Sequence, residues 1–242
     1  MNVKDKLIVA LDVDTYEKAA ELVDVLKGEV EIFKVGIAPF TSFGERIMGK
    51  ISSEGKKIFL DLKVHDIPNT ARNAAKAAAE KGVFMMNFHC MGTEAMLTAA
   101  KEGIEDAKIK GERPILLGVT VLTSMDRKAM ESLGIYRDVE GQVMDFTKMA
   151  MKAGFDGVVA SAQETVKIKE VFGKKIVVVT PGIRPEGSSG DDQKRVTTPL
   201  AALKLGSDYI VVGRPIIGAK SPKKAAERIL EEMKEYELSR AV

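Results

Sequence analysis

The sequence lacks most of the features that would assign a protein to a class by composition alone. It has one cysteine, Cys90, so no intramolecular disulfide can form and no set of thiolates can cage a metal. A secreted disulfide framework is therefore excluded, and a reducing compartment is expected. No sign of charge dominates: 37 Lys and Arg stand against 35 Asp and Glu, for a formal net charge of +2. Binding nucleic acid or an anionic membrane needs many unneutralised cations on one face, so no nucleic-acid or membrane partner is expected, and any bound anion should be small. Long apolar runs are missing as well. The longest near the N-terminus covers residues 7–11, far short of a signal-peptide core or the roughly 20 residues of a membrane span. The chain reads as soluble and cytoplasmic. What it does have is core material: 45% of its 242 residues are hydrophobic. No Pro/Ser-rich linker, charge block or low-complexity tract divides it, so residues 1–242 are expected to form a single domain.

Short β-branched apolar runs alternate with longer segments of helical period, the pattern of β/α units around a parallel sheet. Eight such runs occur, at residues 6–12, 32–36, 57–63, 84–89, 115–120, 157–161, 176–180 and 209–213. Helix starts are marked by Asp14 or Thr15, by Asn69 before an Ala-rich stretch, by Ser161 with Glu164 three residues on, and by Ser221 before Pro222. Eight parallel strands in about 250 residues suit a closed (β/α)8 TIM barrel, whereas an open doubly wound sheet more often uses five or six. The interval between the fifth and sixth runs exceeds one helix, so an extra helix or loop is expected at residues 125–141.

In such a barrel the strand C-termini face the active-site mouth. Here they are charged: Asp12 ends the first run, Lys34 lies in the second, and Asp61 and Lys63 end the third. Side chains alternate along a strand, so Asp61 and Lys63 share a face while Leu60 and Leu62 point to the helical shell. The four charges should converge from three adjacent strands. An ammonium set between carboxylates is stabilised by up to about 4 kcal/mol per 4 Å contact at an effective dielectric near 20, before desolvation is subtracted. That disfavours a Schiff-base lysine, which must be neutral. A protonated lysine in a dry pocket can instead stabilise a developing carbanion and protonate it, while a neighbouring aspartate presses on an anionic group that leaves neutral. Loss of CO2 fits both roles.

The seventh run is followed by Thr180-Pro181-Gly182-Ile183-Arg184-Pro185 and a Gly/Ser/Asp-rich stretch ending near Gln193; the eighth ends Val212-Gly213-Arg214-Pro215-Ile216. Phosphate sites in these barrels are commonly built after strands 7 and 8, where glycine permits close backbone approach and an arginine adds a forked, permanently charged donor set. Residues 186–193 are expected to form a lid over the phosphate.

These motifs, with Asp61-Leu62-Lys63-Val64-His65-Asp66-Ile67-Pro68-Asn69-Thr70 and Val119-Thr120-Val121-Leu122-Thr123-Ser124-Met125, closely resemble those of the orotidine 5′-phosphate decarboxylases of bacterial type, from about Leu7 to the final helix. The resemblance implies a decarboxylation of orotidine 5′-monophosphate to UMP that needs neither cofactor nor metal, in pyrimidine synthesis, by a homodimer with active sites at the subunit interface. It implies that Lys63 donates the proton to C6, in a charge network of Lys34, Asp61 and Lys63 completed by Asp66 from the other subunit. Asp12 and Lys34 would hold ribose hydroxyls, with Ile67 and Thr70 also reaching across the interface. Thr123 and Ser124 match pyrimidine-contacting positions, Pro181 lies among the substrate-binding positions, and Arg184, Gln193, Gly213 and Arg214 match phosphate-binding ones.

Two other readings stay open from the residues. A related barrel acting on a sugar phosphate, such as 3-keto-gulonate 6-phosphate or hexulose 6-phosphate, uses an Asp-x-Lys-x-x-Asp element with Mg²⁺. A non-catalytic nucleotide binder would keep only the barrel and the phosphate grip. His65 and His89, the only histidines, invite a base or metal role, but a histidine hydrogen-bonded in a loop or at the edge of the mouth is the plainer expectation. Cys90 follows His89, and adjacent strand residues face opposite ways, so it is assigned to the core. The methionines between positions 144 and 151 recur at helical spacing and are assigned to packing.

Overall fold

The computed structural model describes residues 2–185 and 197–240. Eight parallel strands close into a barrel in sequence order: β1 (Leu7–Ala10), β2 (Ile32–Gly36), β3 (Lys57–Val64), β4 (Met85–His89), β5 (Ile115–Val119), β6 (Gly157–Val159), β7 (Val177–Thr180) and β8 (Tyr209–Val212), with β8 pairing back onto β1. The helices are α1 (Tyr16–Leu26), α2 (Ile37–Ser53), α3 (Pro68–Glu80), α4 (Thr93–Glu105), α5 (Arg127–Ser132), α6 (Val139–Lys152), α7 (Ala162–Phe172), α8 (Pro199–Lys204), α9 (Arg214–Ile217) and α10 (Pro222–Arg240). Among the described residues no helix is long and apolar enough to cross a membrane.

Alternation along each strand divides the core into two. Leu7, Val9, Phe33, Val35, Ile58 and Leu60 pack outward against the helices. Ile8, Ile32, Phe59, Met85, Leu117 and Tyr209 fill the barrel interior. Each fully buried side chain of this size contributes about 1.5–3 kcal/mol relative to exposure. Continuing the inward series by two residues turns Ile32 into Lys34 and Phe59 into Asp61, so the pattern that seals the interior also raises charge into the mouth above it.

Of the two candidates at the first helix, Thr15 is the cap, its hydroxyl accepting the N–H of Lys18. Ser161 accepts the N–H of Gln163 and opens α7. The expectation for Asn69 needs correcting: α3 begins at Pro68 with Ile67 as its cap, and Asn69 falls inside the first turn. Proline's fixed φ and missing N–H suit the first helical position, which moves the start one residue earlier than a polar cap would set it. The long interval before β6 does hold an extra helix, α5, capped by Asp126 through the N–H of Ala129; Asp138 caps α6. Met144, Met149 and Met151 pack partly buried against the core, as assigned. Cys90 is fully buried, and burial pushes its thiol up to about 12, which leaves it unreactive at neutral pH.

Candidate active site

The three charged strand ends meet. Lys34 Nζ lies 3.2 Å from Asp12 Oδ1 and 3.1 Å from Asp61 Oδ2, and Lys63 Nζ lies 2.7 Å from Asp61 Oδ1. The result is an alternating row, Asp12–Lys34–Asp61–Lys63, whose two central members are buried. Burial alone would disfavour the Lys34 ammonium, but Asp61 and Asp12 outweigh it and hold the group above the ordinary lysine range. Burial likewise opposes the Asp61 carboxylate, and the Lys34 and Lys63 charges overcome it, holding the carboxyl below its usual range. What Asp61 contributes to stability is present above its unfolded value and lost as pH falls through its lowered folded one. What Lys34 contributes is present below its unfolded value and lost as pH rises through its raised folded one. Both groups are therefore ionised throughout the neutral range.

Backbone geometry explains how one strand presents both Asp61 and Lys63. The β3–β4 register runs Phe59↔Met85 and Leu60↔Met86, then resumes at Val64↔Phe88, so Asp61, Leu62 and Lys63 stand opposite the single residue Asn87. Lys63 takes a φ of +48°, a left-handed conformation that lysine rarely adopts. Such a bulge bends the strand and re-aims a side chain, at a cost of order 1–3 kcal/mol in local strain.

The row lines one side of a cavity of about 450 Å³ at the C-terminal mouth. Thr123 and Ser124, beyond β5, line it too, as do Pro181 and Arg184 beyond β7 and Gly213 and Arg214 beyond β8. Val119, Val159 and Val211 contribute apolar wall. Ten of the residues singled out from the sequence thus share one cavity: Asp12, Lys34, Asp61, Lys63, Thr123, Ser124, Pro181, Arg184, Gly213 and Arg214. Asp66, Ile67 and Thr70 do not line it; they lie on the exposed stretch that follows β3. Gln193, and the lid expected at 186–193, lie outside the described residues.

His65 and His89 stack on one another with ring centroids 5.8 Å apart. Burial, aided by His65 and Lys63, holds His89 below the ordinary histidine value, and its Nδ1 accepts the N–H of Met91. This is the hydrogen-bonded histidine expected. Among the described residues no group of three or more His, Cys, Asp or Glu is placed to hold a metal ion.

Two residues not singled out by sequence reasoning shape the site. Asn87 on β4 is buried and donates from its amide to Asp61 Oδ1. Gly36 ends β2 on the same face as Lys34, and a Cβ there would stand 2.9 Å from Lys34 Nζ and 3.0 Å from Asp12 Oδ1. Its φ of −87° is open to any residue, so the glycine is required for space rather than for backbone freedom. Gly36→Ala should fold with little loss of stability, because the flexible end of Lys34 can move. Moving it misplaces the charge row, and kcat/KM should fall roughly 10- to 100-fold, the cost typical of about 1 Å of misplacement. Unchanged kcat/KM would show that the row tolerates displacement.

Fold and site together define a (β/α)8 barrel with a row of fixed charges at the mouth where this fold keeps its active sites. The family model described as "Orotidine 5'-phosphate decarboxylase / HUMPS family" matches residues 5–229. The chain belongs to this family. It is 48% identical over 234 residues to the orotidine 5′-phosphate decarboxylase of Saccharophagus degradans, covering 96% of this chain and 97% of that one. With the decarboxylase of the same name from Carboxydothermus hydrogenoformans it is 48% identical over 230 residues, 95% of this chain and 96% of the other. The crystal structure of orotidine 5′-phosphate decarboxylase from Lactobacillus acidophilus superposes with a TM-score of 0.83 at 39% identity, covering 95% of this chain and 99% of that one.

Proposed function

We propose that this chain converts orotidine 5′-monophosphate to UMP and CO2, as a carboxy-lyase of pyrimidine biosynthesis acting in the cytoplasm. The observation that carries this reading is the Asp12–Lys34–Asp61–Lys63 row, buried at Lys34 and Asp61, lining a cavity that also holds Arg184 and Arg214. In the reaction the bond between C6 and the carboxylate carbon breaks, and CO2 leaves neutral. The electron pair stays on C6, where the Lys63 ammonium stabilises it and then transfers its proton; Lys63 regains a proton from solvent. Asp61, ionised and held between two lysines, presents negative charge to the substrate carboxylate, a repulsion relieved as CO2 departs. Asp12 and Lys34 hold ribose hydroxyls, Thr123 and Ser124 the pyrimidine, and Pro181 packs beside them. Arg184, Gln193, Gly213 and Arg214 grip the phosphate, where forked arginine donors suit a dianion.

The active unit in this reading is a homodimer, with Asp66, Ile67 and Thr70 entering the neighbouring subunit's site. The exposure of residues 65–70, including Ile67 at 66%, supports this, since an isolated monomer gains nothing from presenting that side chain to water.

The chemistry assigned to the row needs no metal. Activity on orotidine 5′-monophosphate, followed spectrophotometrically, should be the same in buffer with EDTA as without it. Activity that collapses with chelator and returns with Mg²⁺ would overturn the metal-free reading of the row.

A further inference from the structure

We propose that Asn87 is a positioning residue that holds the Asp61–Lys63 pair in its reactive geometry; the inference rests on the decarboxylase reading above. Asn87 is 1% exposed and lies on β4 opposite the β3 bulge. Its side chain stands in for the interrupted ladder: Oδ1 accepts the Lys63 backbone N–H at 2.8 Å, and Nδ2 donates to Asp61 Oδ1 at 2.6 Å. Asp61 Oδ1 also receives the Lys63 ammonium at 2.7 Å. One amide thus ties together the strained backbone of Lys63, the carboxylate of Asp61 and, through it, the Lys63 side chain. Asparagine is disfavoured in strands, and a buried polar side chain persists only when its groups are satisfied. Here both ends are satisfied by the same two residues, in the orientation that a donor–acceptor pair demands and a carboxylate or an alkyl chain cannot supply.

The position also predicts how the amide can be replaced. An ionised carboxylate at 87 can accept from the Lys63 N–H but repels Asp61. Once protonated it becomes a near-isostere of the amide, with a hydroxyl to donate to Asp61 and a carbonyl to accept from Lys63. Two facing carboxyl groups share a proton readily, so protonation is expected on mild acidification. The titratable groups near this position are Asp61 and Lys63 on β3, Lys34 beyond Asp61 on β2, and His89 two residues along on β4; β5 presents Leu117 opposite. All but the introduced carboxyl are common to the parent protein, so the ratio of variant to parent rates isolates its titration.

Asn87→Ala and Asn87→Asp are purified beside the unaltered protein and assayed for kcat and KM with orotidine 5′-monophosphate, for UMP affinity and for thermal unfolding. For Asn87→Ala, kcat should fall about 10²-fold, with UMP affinity changed less than about threefold, because the loss is in alignment rather than binding. For Asn87→Asp, the rate relative to the parent should rise at least about fivefold between pH 8 and pH 5.5 as the introduced carboxyl is protonated. A kcat within about threefold of the parent in Asn87→Ala, or loss of UMP binding in proportion to kcat, would overturn the proposal. If Asn87→Ala does not fold, the ratio for Asn87→Asp decides, and a pH-independent ratio overturns it. An unaltered protein with no decarboxylase activity is a separate result and removes the functional reading itself.

Discussion

Lys63→Ala should bind UMP with an affinity near that of the parent while losing at least about 10⁴-fold in kcat. A general acid alone contributes about 10²–10⁴, and fixed charge aimed at a developing anion about 10²–10³, and in the proposed reaction one ammonium supplies both. Binding survives because the assigned phosphate grip, Arg184, Gly213 and Arg214, is carried on the loops after β7 and β8 and does not depend on β3. Folding should survive too. Asp61 keeps Lys34 at 3.1 Å and the Asn87 amide at 2.6 Å, so removing Lys63 does not leave a buried carboxylate unpaired. Alanine also tolerates the left-handed φ no worse than lysine does, since both carry a Cβ. Equilibrium binding of UMP and single-turnover decarboxylation of orotidine 5′-monophosphate measure the two quantities separately. Turnover close to the parent's would place the chemistry elsewhere, and loss of affinity matching the loss of rate would make Lys63 a binding residue.

The contrast between charge row and phosphate grip also explains what could be read directly from the sequence. All eight strands were legible because apolar runs buried on both faces are nearly continuous, and their ends differ from the observed ones by no more than two residues. The convergence of Asp12, Lys34, Asp61 and Lys63 was legible because a period of two fixes which residues share a face. What that period could not show is the bulge at Asp61–Lys63, since a bulge is a mismatch between two strands and neither strand alone encodes it. Asn87 was missed for the same reason, although a polar residue between Met85 and His89 on an inward face was a usable signal. Gly36 was missed because its role is the space that two other side chains occupy, which becomes visible only once they are placed. The start of α3 was misassigned because Asn69 and Pro68 are both helix-start signals and the proline prevailed. Asp66, Ile67 and Thr70 illustrate a different limit. Their residue types suit a site, yet a single chain leaves them outside its own cavity.

Those three residues provide the test of the assembled enzyme. If Asp66 completes the neighbouring subunit's charge network, Lys63→Ala and Asp66→Ala each disable the parent homodimer, but they do so in different subunits' contributions. In a mixed dimer, the site built on the Lys63→Ala subunit receives the altered position 66 from its neighbour and is doubly impaired. The site built on the Asp66→Ala subunit retains its own Lys63 and receives an intact Asp66. One native site is therefore restored. Co-expression with two different affinity tags and sequential purification isolates the mixed dimer, whose kcat per dimer should be about half the parent's, as two-fold symmetry requires. Both homodimeric variants, assayed alongside, should remain orders of magnitude lower. The exposed side chains of Ile37, 57% exposed, and Ile67 are suited to burial in such an interface, one at the start of α2 and the other at the start of α3. If each site instead uses the Asp66 of its own chain, the mixed dimer contains one site lacking Lys63 and one lacking Asp66, and its activity stays at the mean of the two homodimers. The two arrangements differ by orders of magnitude in one assay, so the result assigns Asp66 to one subunit or the other.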